Sequence, residues 1–296
     1  MKTVSFVGIG TMGNGMIQNL LKNGFKVIGC RKNKSKNKIK NKNFAIVGSA
    51  SEVCNGSDII ITCLPSDSSL KGVLFSKNGI LKNIKKQVLI DCGTTSVGFT
   101  GKIADECSKK KIEFLDAPMT GSKAAAENGS IFFMIGGGKK TIEKCRPVFD
   151  AVGKKIVYCG KNTYGQRAKI ALNLGQALML QSYIEALALG IKNGVPLNTM
   201  VEILENSGAK SGVSSAKIHK IIQGDFLPHF KLKLMGKDVN FAIKEMQRLG
   251  IKLPLSIQLK KVFKEALRTC DEDDDFSCIA KVMERNAGVL IKIHKP

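Results

Sequence analysis

A glycine-rich turn near the start of the chain constrains its fold more than any other feature. An apolar run at 3–7 ends at Gly8, and Gly10 and Gly13 follow in the spacing Gly-x-Gly-x-x-Gly before a helical pattern begins. The first glycine permits a tight turn, the second lets backbone approach a pyrophosphate, and the third lets helix pack closely on strand. The N–H groups at the helix start then attract phosphates. An ordinary glycine-rich turn is the alternative. The predicted dinucleotide-binding residues are Gly8, Ile9, Gly10, Thr11, Met12 and Gly13.

The end of the second predicted strand, 25–29, indicates which dinucleotide would bind. A site for NAD usually has Asp or Glu about 20 residues after the glycines, bound to the ribose 2′-hydroxyl. This chain instead has Arg31, followed by a lysine-rich segment at 32–42. A guanidinium can bind a 2′-phosphate through two hydrogen bonds, whereas a carboxylate would repel it. We therefore predict NADP (NADPH) as the cofactor, with Arg31 on its phosphate; a solvated loop is the alternative, and is favoured for Lys38, Lys40 and Lys42.

The chain carries a large positive charge that is spread along its length. Its net charge is +23, from 41 lysines and 6 arginines against 24 acidic residues. Basic proteins can bind nucleic acid, but aromatic residues are only 6% of this chain and Trp is absent, so base-stacking side chains are scarce. A soluble basic surface is therefore favoured over a nucleic-acid partner. The positive field should attract ligands that carry a carboxylate or phosphate.

Cysteine, histidine and the apolar segments bear on compartment and metal binding. The nine cysteines include no Cys-x-x-Cys pair, and the three histidines are scattered, which predicts reduced thiols and no metal site. The apolar segment 171–191 is interrupted by Gln176, Gln181 and Glu185, so it predicts a buried helix and no membrane partner. We expect a soluble protein of the cytoplasm or an organelle.

Hydrophobic periodicity divides the chain into two parts. Predicted strands are at 3–7, 25–29, 58–63, 87–91, 112–115, 131–135 and 155–158, and the helices between them at 12–22, 49–55, 67–73, 97–109 and 139–150. After about residue 162 the pattern is helical, with helices at 165–193, 197–206, 210–223, 231–249, 255–269 and 276–288. Alternating strands and helices indicate a mostly parallel sheet covered on both faces. The fold class is therefore α/β, with a doubly wound Rossmann-type domain at 1–162 and an all-helical domain at 163–296, joined by a long helix.

Three loops should meet at the carboxyl ends of the predicted strands. They are Leu64-Pro65-Ser66, the segment 91–96, and the segment 116–122. Open α/β sheets bind their ligands at this edge. We expect the three loops to converge on the nicotinamide end of the dinucleotide.

Five motifs in order resemble those of the β-hydroxyacid dehydrogenases, which include 3-hydroxyisobutyrate dehydrogenase and glyoxylate/succinic semialdehyde reductase. They are GIGTMGNGMIQNL at 8–20, Leu64-Pro65, DAPMTGS at 116–122, GQRAKIALN at 165–173, and Lys237-Asp238. The resemblance covers essentially the whole chain. The segment GSKAAAE at 121–127 is similar to the version in the glyoxylate/succinic semialdehyde reductase branch, which uses NADPH.

The resemblance implies a role for each matching position. Lys169 would be the catalytic acid, and Asn173, one helical turn away, would orient it or the substrate. A protonated lysine can give a proton to an aldehyde oxygen and stabilise the developing alkoxide. Cofactor contacts are implied for Leu64, Pro65, Thr94 and Lys237, and substrate contacts for Thr95, Thr120, Gly121, Ser122 and Asp238. A surface ion pair is the alternative for Lys237 and Asp238, and a turn-capping hydroxyl for Ser122.

Four positions depart from the family pattern, and one of them, Thr120 in place of the family's serine, keeps the hydroxyl. Gly93 stands where the family's Asp-x-Ser-Thr loop has serine, Ala125 where the branch often has proline, and Leu174 where many members have a second asparagine. None of them removes Lys169.

The expected reaction is NADPH-dependent reduction of a small carboxylate-bearing aldehyde, glyoxylate or succinic semialdehyde, to the hydroxyacid. Oxidation of a β-hydroxyacid by a 3-hydroxyisobutyrate-type dehydrogenase is one alternative. A reductase of imines and a non-catalytic, nucleic-acid-associated module on the same fold are two others. The resemblance also implies a homodimer or homotetramer.

Overall fold

The computed structural model describes residues 2–31 and 39–292. The chain divides into two compact units, Met1–Lys169 and Ile170–Pro296. The sequence-based boundary at 162/163 falls just before the long helix, whereas the division by compactness falls inside it. Lys38, which the sequence assigns to a solvated loop, lies outside the described residues.

The first unit is built on one twisted sheet. Its strands are β1 (Thr3–Val7), β2 (Lys26–Cys30), β3 (Phe44–Val47), β4 (Ile59–Thr62), β5 (Val88–Asp91), β6 (Phe114–Asp116), β7 (Met119–Thr120), β8 (Ile131–Gly137) and β9 (Gly153–Gly160). The first six pair in parallel in the order β3-β2-β1-β4-β5-β6, the strand order of a Rossmann fold. β8 then runs antiparallel to β6 and β7 and parallel to β9.

Helices cover both faces of this sheet. They are α1 (Thr11–Lys22), α2 (Asp67–Phe75), α3 (Ile80–Asn83), α4 (Val97–Lys109), α5 (Lys123–Glu127) and α6 (Lys139–Val152). Alternate residues of β4 enter different cores, because neighbouring side chains of a strand point to opposite faces. Ile59 and Ile61 pack in the core that contains α1 and α6, and Ile60 packs in the core of α2 and α4. The predicted doubly wound α/β fold is confirmed.

The second unit is helical. The long helix α7 (Tyr164–Lys192) begins in the first unit, and α8 (Leu197–Glu205), α9 (Gly212–Gln223), α10 (Leu232–Leu249), α11 (Pro254–Thr269) and α12 (Ile279–Ala287) follow. Between residues 170 and 292 the structure describes no β-strand, only a single bridge between Lys231 and Asp275. The core gathers α7, α9, α10, α11 and α12 around residues such as Leu180, Ile184 and Phe263.

Helix α7 is long and apolar enough, by length and composition, to cross a membrane, a property that the core helices of soluble proteins share. Its apolar residues are divided between core and surface. Leu180, Ile184 and Leu187 are buried, whereas Met179 and Leu189 are more than half exposed. The prediction of a buried helix therefore holds for one face of α7.

Several local predictions need correction. The helix predicted at 49–55 is only a 3-10 turn at Glu52–Cys54, because the Ser49 N–H and hydroxyl both donate to the Glu52 carboxylate and close the chain locally. The helix predicted at 276–288 begins with another 3-10 turn, where Asp275 accepts from the Ser277 N–H. The sequence pattern does not predict β3, a half-exposed strand at the edge of the sheet, or β7, which has only two residues.

Candidate active site

The loop at 8–13 contains two glycines, Gly8 and Gly13, that the fold requires, and a third, Gly10, beside which there is space for a ligand. Gly8 has φ +109°, and a Cβ there would meet the carbonyl oxygen of Cys63. A Cβ at Gly13 would meet the Gly8 carbonyl oxygen and the Phe6 ring. A Cβ on Gly10, by contrast, would have no described atom within 4 Å.

The start of α1 is correspondingly open. Gly10 is its N-cap residue, and among the described residues no side chain caps the helix. The backbone N–H groups of the first turn are thus left for a ligand, and the helix dipole favours an anion there. The loop of residues 8–13, with Thr11 exposed and Met12 half-buried, fits the pyrophosphate of a dinucleotide.

Arg31 lies against this loop. Its guanidinium donates from Nη2 to the carbonyl oxygen of Ile9 at 2.9 Å, and its side chain is partly exposed. The end of β2 therefore places a fixed positive charge beside the glycine loop. This position matches the one expected for a residue that binds the ribose substituent.

The loops after β4 and β5 are in backbone contact. A Cβ on Gly93 would lie 2.7 Å from the carbonyl oxygen of Leu64, so glycine at this position allows the two loops to approach. Asp67, the first residue of α2, accepts from the Ser96 N–H at 3.0 Å and from its hydroxyl at 2.5 Å. The departure from serine at position 93 thus has a steric reason. Leu64, Pro65 and Thr94 keep part of their surface exposed.

Thr95 lies in the interior of the first unit. It is fully buried; its hydroxyl donates to the Asp91 carboxylate at 3.3 Å and shares a hydrogen bond of 2.8 Å with Thr100. The structure therefore gives Thr95 a supporting position, whereas the resemblance implied a substrate contact.

Two buried carboxyl groups stand side by side at the ends of β5 and β6. Asp91 and Asp116 are register partners. Burial raises the pKa of Asp91 to about 7, with a further contribution from the charge of Asp116, although Thr62 donates to it at 2.7 Å. Burial also raises the pKa of Asp116 to about 6, against the lowering effect of backbone N–H donors from Thr163 and Gln166. Both groups therefore titrate near neutral pH.

Gln166, in the first turn of α7, is a site residue that the sequence reasoning missed. It is fully buried, and its Nε2 donates to the Gly93 carbonyl oxygen at 2.8 Å while its Oε1 accepts from the Thr95 N–H at 3.2 Å. Its own N–H donates to Asp116 at 3.0 Å. The available signal was the spacing Gln166 to Lys169, which places an amide and the lysine on neighbouring positions of one helix face.

Lys169 and Asn173 follow on α7, and both are buried, with 7% and 1% of their surface exposed. In the second unit the Asn173 amide donates to the Asp238 carboxylate at 2.6 Å. Lys237 Nζ lies 2.8 Å from the other oxygen of Asp238, as an ion pair, and 4.7 Å from the ring centroid of Phe241. Because Asp238 is fully buried, this pair differs from a solvated surface ion pair.

The segment after β6 supplies the remaining predicted substrate residues. Thr120 is half-buried in β7, and Gly121 has φ +147°, with space for a Cβ closed by Ala125 at 2.9 Å. Ser122 is exposed, and its oxygen accepts from the Ala125 N–H at 3.3 Å as the N-cap of α5. The capping alternative for Ser122 thus matches the geometry, and its O–H can still donate to a ligand. Proline at 125 could not donate this hydrogen bond.

Comparisons with known proteins agree with this geometry. The family model described as the NAD binding domain of 6-phosphogluconate dehydrogenase matches residues 3–160. A second, described as NAD-binding of NADP-dependent 3-hydroxyisobutyrate dehydrogenase, matches residues 163–283. Together the two models cover most of the chain, and both describe binding of a nicotinamide dinucleotide.

Relatives of known name align along nearly the whole chain. A probable mitochondrial 3-hydroxyisobutyrate dehydrogenase of Arabidopsis thaliana is 33% identical, over 94% of this chain and 86% of the relative. Glyoxylate/succinic semialdehyde reductase 1 of the same plant is 29% identical, over 95% and 98%. The solved 3-hydroxyisobutyrate dehydrogenase of Mycobacterium tuberculosis with L-serine has the same fold, with a TM-score of 0.84 at 24% identity over 96% and 99% of the two chains. The resemblance inferred from the motifs is confirmed, and the chain belongs to the β-hydroxyacid dehydrogenase family of NAD(P)-dependent oxidoreductases.

Proposed function

We propose that this chain is an NADPH-dependent reductase of a small aldehyde that bears a carboxylate, with glyoxylate and succinic semialdehyde as the first candidates. The observation that carries the proposal is the buried Lys169, on a helix whose first turn is hydrogen-bonded to the loop after β5. That attachment holds the start of α7 at the sheet edge where α/β folds bind ligands, and a buried lysine three residues further along supports the proposed role of proton donor.

In the proposed reaction the loop at 8–13 would hold a reduced nicotinamide dinucleotide, which would supply the hydride that the carbonyl carbon accepts. Lys169 gives a proton from Nζ to the carbonyl oxygen and stabilises the negative charge that develops there. Asn173, whose amide donates to Asp238, is proposed to orient the lysine or the substrate. Oxidation of the hydroxyacid needs the neutral amine of Lys169, so higher pH favours that direction.

The carboxylate of the substrate is proposed to bind near the segment 120–122. The Thr120 and Ser122 hydroxyls and the Gly121 N–H are donors suited to an anion. The net charge of +23 adds a long-range attraction for such a substrate. These features support a carboxylate-bearing aldehyde over a neutral one.

Arg31 is proposed to select NADPH over NADH. Changing Arg31→Glu is expected to raise the KM for NADPH by about 10- to 100-fold, because charge-assisted hydrogen bonds to the 2′-phosphate are lost and a repulsive charge is gained. The KM for NADH should change by less than about threefold. Steady-state kinetics with both cofactors measure the ratio.

The exposed Lys42→Glu variant is the matched control, since it reverses a charge in the same part of the chain. It should leave the cofactor preference unchanged. An unaltered preference for NADPH in the Arg31→Glu protein would show that Arg31 does not read the 2′-phosphate.

The proposed function is tested by NADPH oxidation with purified protein. The substrates are glyoxylate, succinic semialdehyde, methylmalonate semialdehyde and a cyclic imine, with NADH in parallel. Rapid NADPH-specific reduction of either of the first two supports the proposal. Preference for methylmalonate semialdehyde would favour the 3-hydroxyisobutyrate-type alternative, which agrees with the name of one relative. NADPH binding without turnover of any of the four would contradict the proposed substrates.

A further inference from the structure

Gln166 joins three segments that are distant in the sequence. Through its side chain it holds the loop after β5 at both the Gly93 carbonyl and the Thr95 N–H, which are 73 and 71 residues away along the chain. Through its backbone N–H it is bound to Asp116 at the end of β6. Asp116 also accepts from the Thr163 N–H, so its carboxylate caps the start of α7.

These hydrogen bonds fix the rotation of α7 about its own axis. A helix capped only at its backbone can still turn or slide by small amounts against a sheet edge. The side-chain amide of Gln166 removes this freedom, because both its donor and its acceptor are bound to one peptide segment, 93–95. Lys169 is the next residue on the same helix face. The backbone of Lys169 is therefore held in register with the loop after β5.

We propose that Gln166 is a positioning residue, whose amide aligns Lys169 with the Gly93–Thr95 loop. The expected change in kcat rests on the proposed function, whereas the expected loosening of the contact between α7 and the loop does not. Misplacing a catalytic group by about 1 Å can cost about 100-fold in rate. Loss of the amide should therefore lower kcat more than it raises the KM for NADPH, because Thr94 is the one assigned cofactor contact in the loop that Gln166 holds, while the glycine loop at 8–13 is untouched.

Two substitutions separate hydrogen bonding from shape. Gln166→Met keeps the length of the side chain and removes both hydrogen bonds. Gln166→Glu keeps the shape and makes the bonding depend on pH: a protonated carboxyl group can donate to the Gly93 oxygen and accept from the Thr95 N–H, as the amide does. An ionised carboxylate only accepts, so it would face the Gly93 oxygen without a proton between them.

The charged neighbours of position 166 in the first unit set the pH range of this effect. Asp116 on β6 and Asp91 on β5, which is linked through Thr95, oppose ionisation of a glutamate, whereas Lys169 on the same helix favours it. Asp91 and Asp116 titrate in the same pH range as the experiment, which changes the kcat of the unaltered protein as well. The kcat of each variant is therefore divided by the kcat of the unaltered protein at the same pH.

The experiment has one readout in the protein alone and one in turnover. Hydrogen exchange of the Thr95 amide is measured without cofactor, and should be about 10-fold faster in the Gln166→Met protein. The kcat of the Gln166→Met protein should fall by about 30- to 100-fold, while its KM for NADPH stays within about threefold of that of the unaltered protein. In the Gln166→Glu protein, relative kcat and amide protection should both recover by about fivefold or more from pH 8 to pH 5.5.

Gln181→Met is the matched control, because Gln181 is another buried amide on α7. It should leave Thr95 exchange and the pH dependence of relative kcat unchanged. A merely structural role for Gln166 predicts a lower melting temperature in the Gln166→Met and Gln166→Glu proteins, with a relative kcat in the Gln166→Glu protein that does not change with pH. If the Gln166→Met protein does not fold, the pH series of the Gln166→Glu protein decides alone.

The outcomes distinguish this inference from the proposed function. Unchanged Thr95 exchange in the Gln166→Met protein, or a flat relative kcat across pH in the Gln166→Glu protein, would overturn the role of Gln166. An unaltered protein that binds NADPH but reduces no aldehyde would overturn the proposed function instead. Hydrogen exchange would still measure the attachment of α7 in that case.

Discussion

Lys169→Ala is expected to lower kcat by about 10³- to 10⁴-fold while the affinity for NADPH stays within about threefold. The lysine is assigned both the transferred proton and the charge that stabilises the alkoxide, and removing a general acid alone costs about 10²- to 10⁴-fold. Its 7% exposure means that water has little access to replace it. Stopped-flow or steady-state NADPH oxidation gives kcat, and quenching of NADPH fluorescence gives the affinity.

Two further variants make the result specific to the proton. Lys169→Arg keeps a positive charge but holds its proton too tightly to release it, so it should restore only the electrostatic part of the rate. Lys192→Ala removes another lysine of α7, one that donates to the Gly288 carbonyl, and should leave kcat within about twofold. A kcat in the Lys169→Ala protein within about threefold of the unaltered value would contradict the general-acid role.

Local motifs predicted the elements of the site that depend on short stretches of chain. The glycine spacing, the strand before it and the helix after it lie within 20 residues, and the structure has β1, the loop and α1 in that order. The placement of Arg31 beside Ile9 also follows from the β1-α1-β2 unit alone. In each case the pattern depends on residues that are close together in the sequence, so a single sequence is enough to recognise it.

The contacts that hold the site together depend on long-range packing and could not be read in this way. Gln166 binds residues more than 70 positions away, and Asp67 binds Ser96 across 29 positions. The sequence predicts that these loops meet at one sheet edge, but not which side chain of each loop turns inward. Thr94 and Thr95 illustrate the limit, because Thr95 is fully buried and Thr94 is not.

Gly10→Ala and Gly13→Ala should have opposite consequences, although both remove a glycine of the same loop. Gly10→Ala is expected to weaken NADPH binding by about 100-fold or more while the melting temperature stays within about 2 °C, because its methyl group meets no described atom and projects where the pyrophosphate would approach. Gly13→Ala should destabilise the free protein by about 3 kcal/mol, since its methyl group would overlap the Gly8 carbonyl oxygen and the Phe6 ring.

Thermal unfolding without cofactor and fluorescence titration with NADPH separate the two effects. Gly72→Ala is the control, since it lies in α2 with no described atom within 4 Å of the added carbon. It should stabilise the protein by about 0.5–1 kcal/mol, by lowering the entropy of the unfolded chain, and leave NADPH binding unchanged. NADPH affinity in the Gly10→Ala protein equal to that of the control would mean that the dinucleotide does not lie against this loop. A destabilised Gly10→Ala protein would instead mean that Gly10 is required by the fold, as Gly8 and Gly13 are.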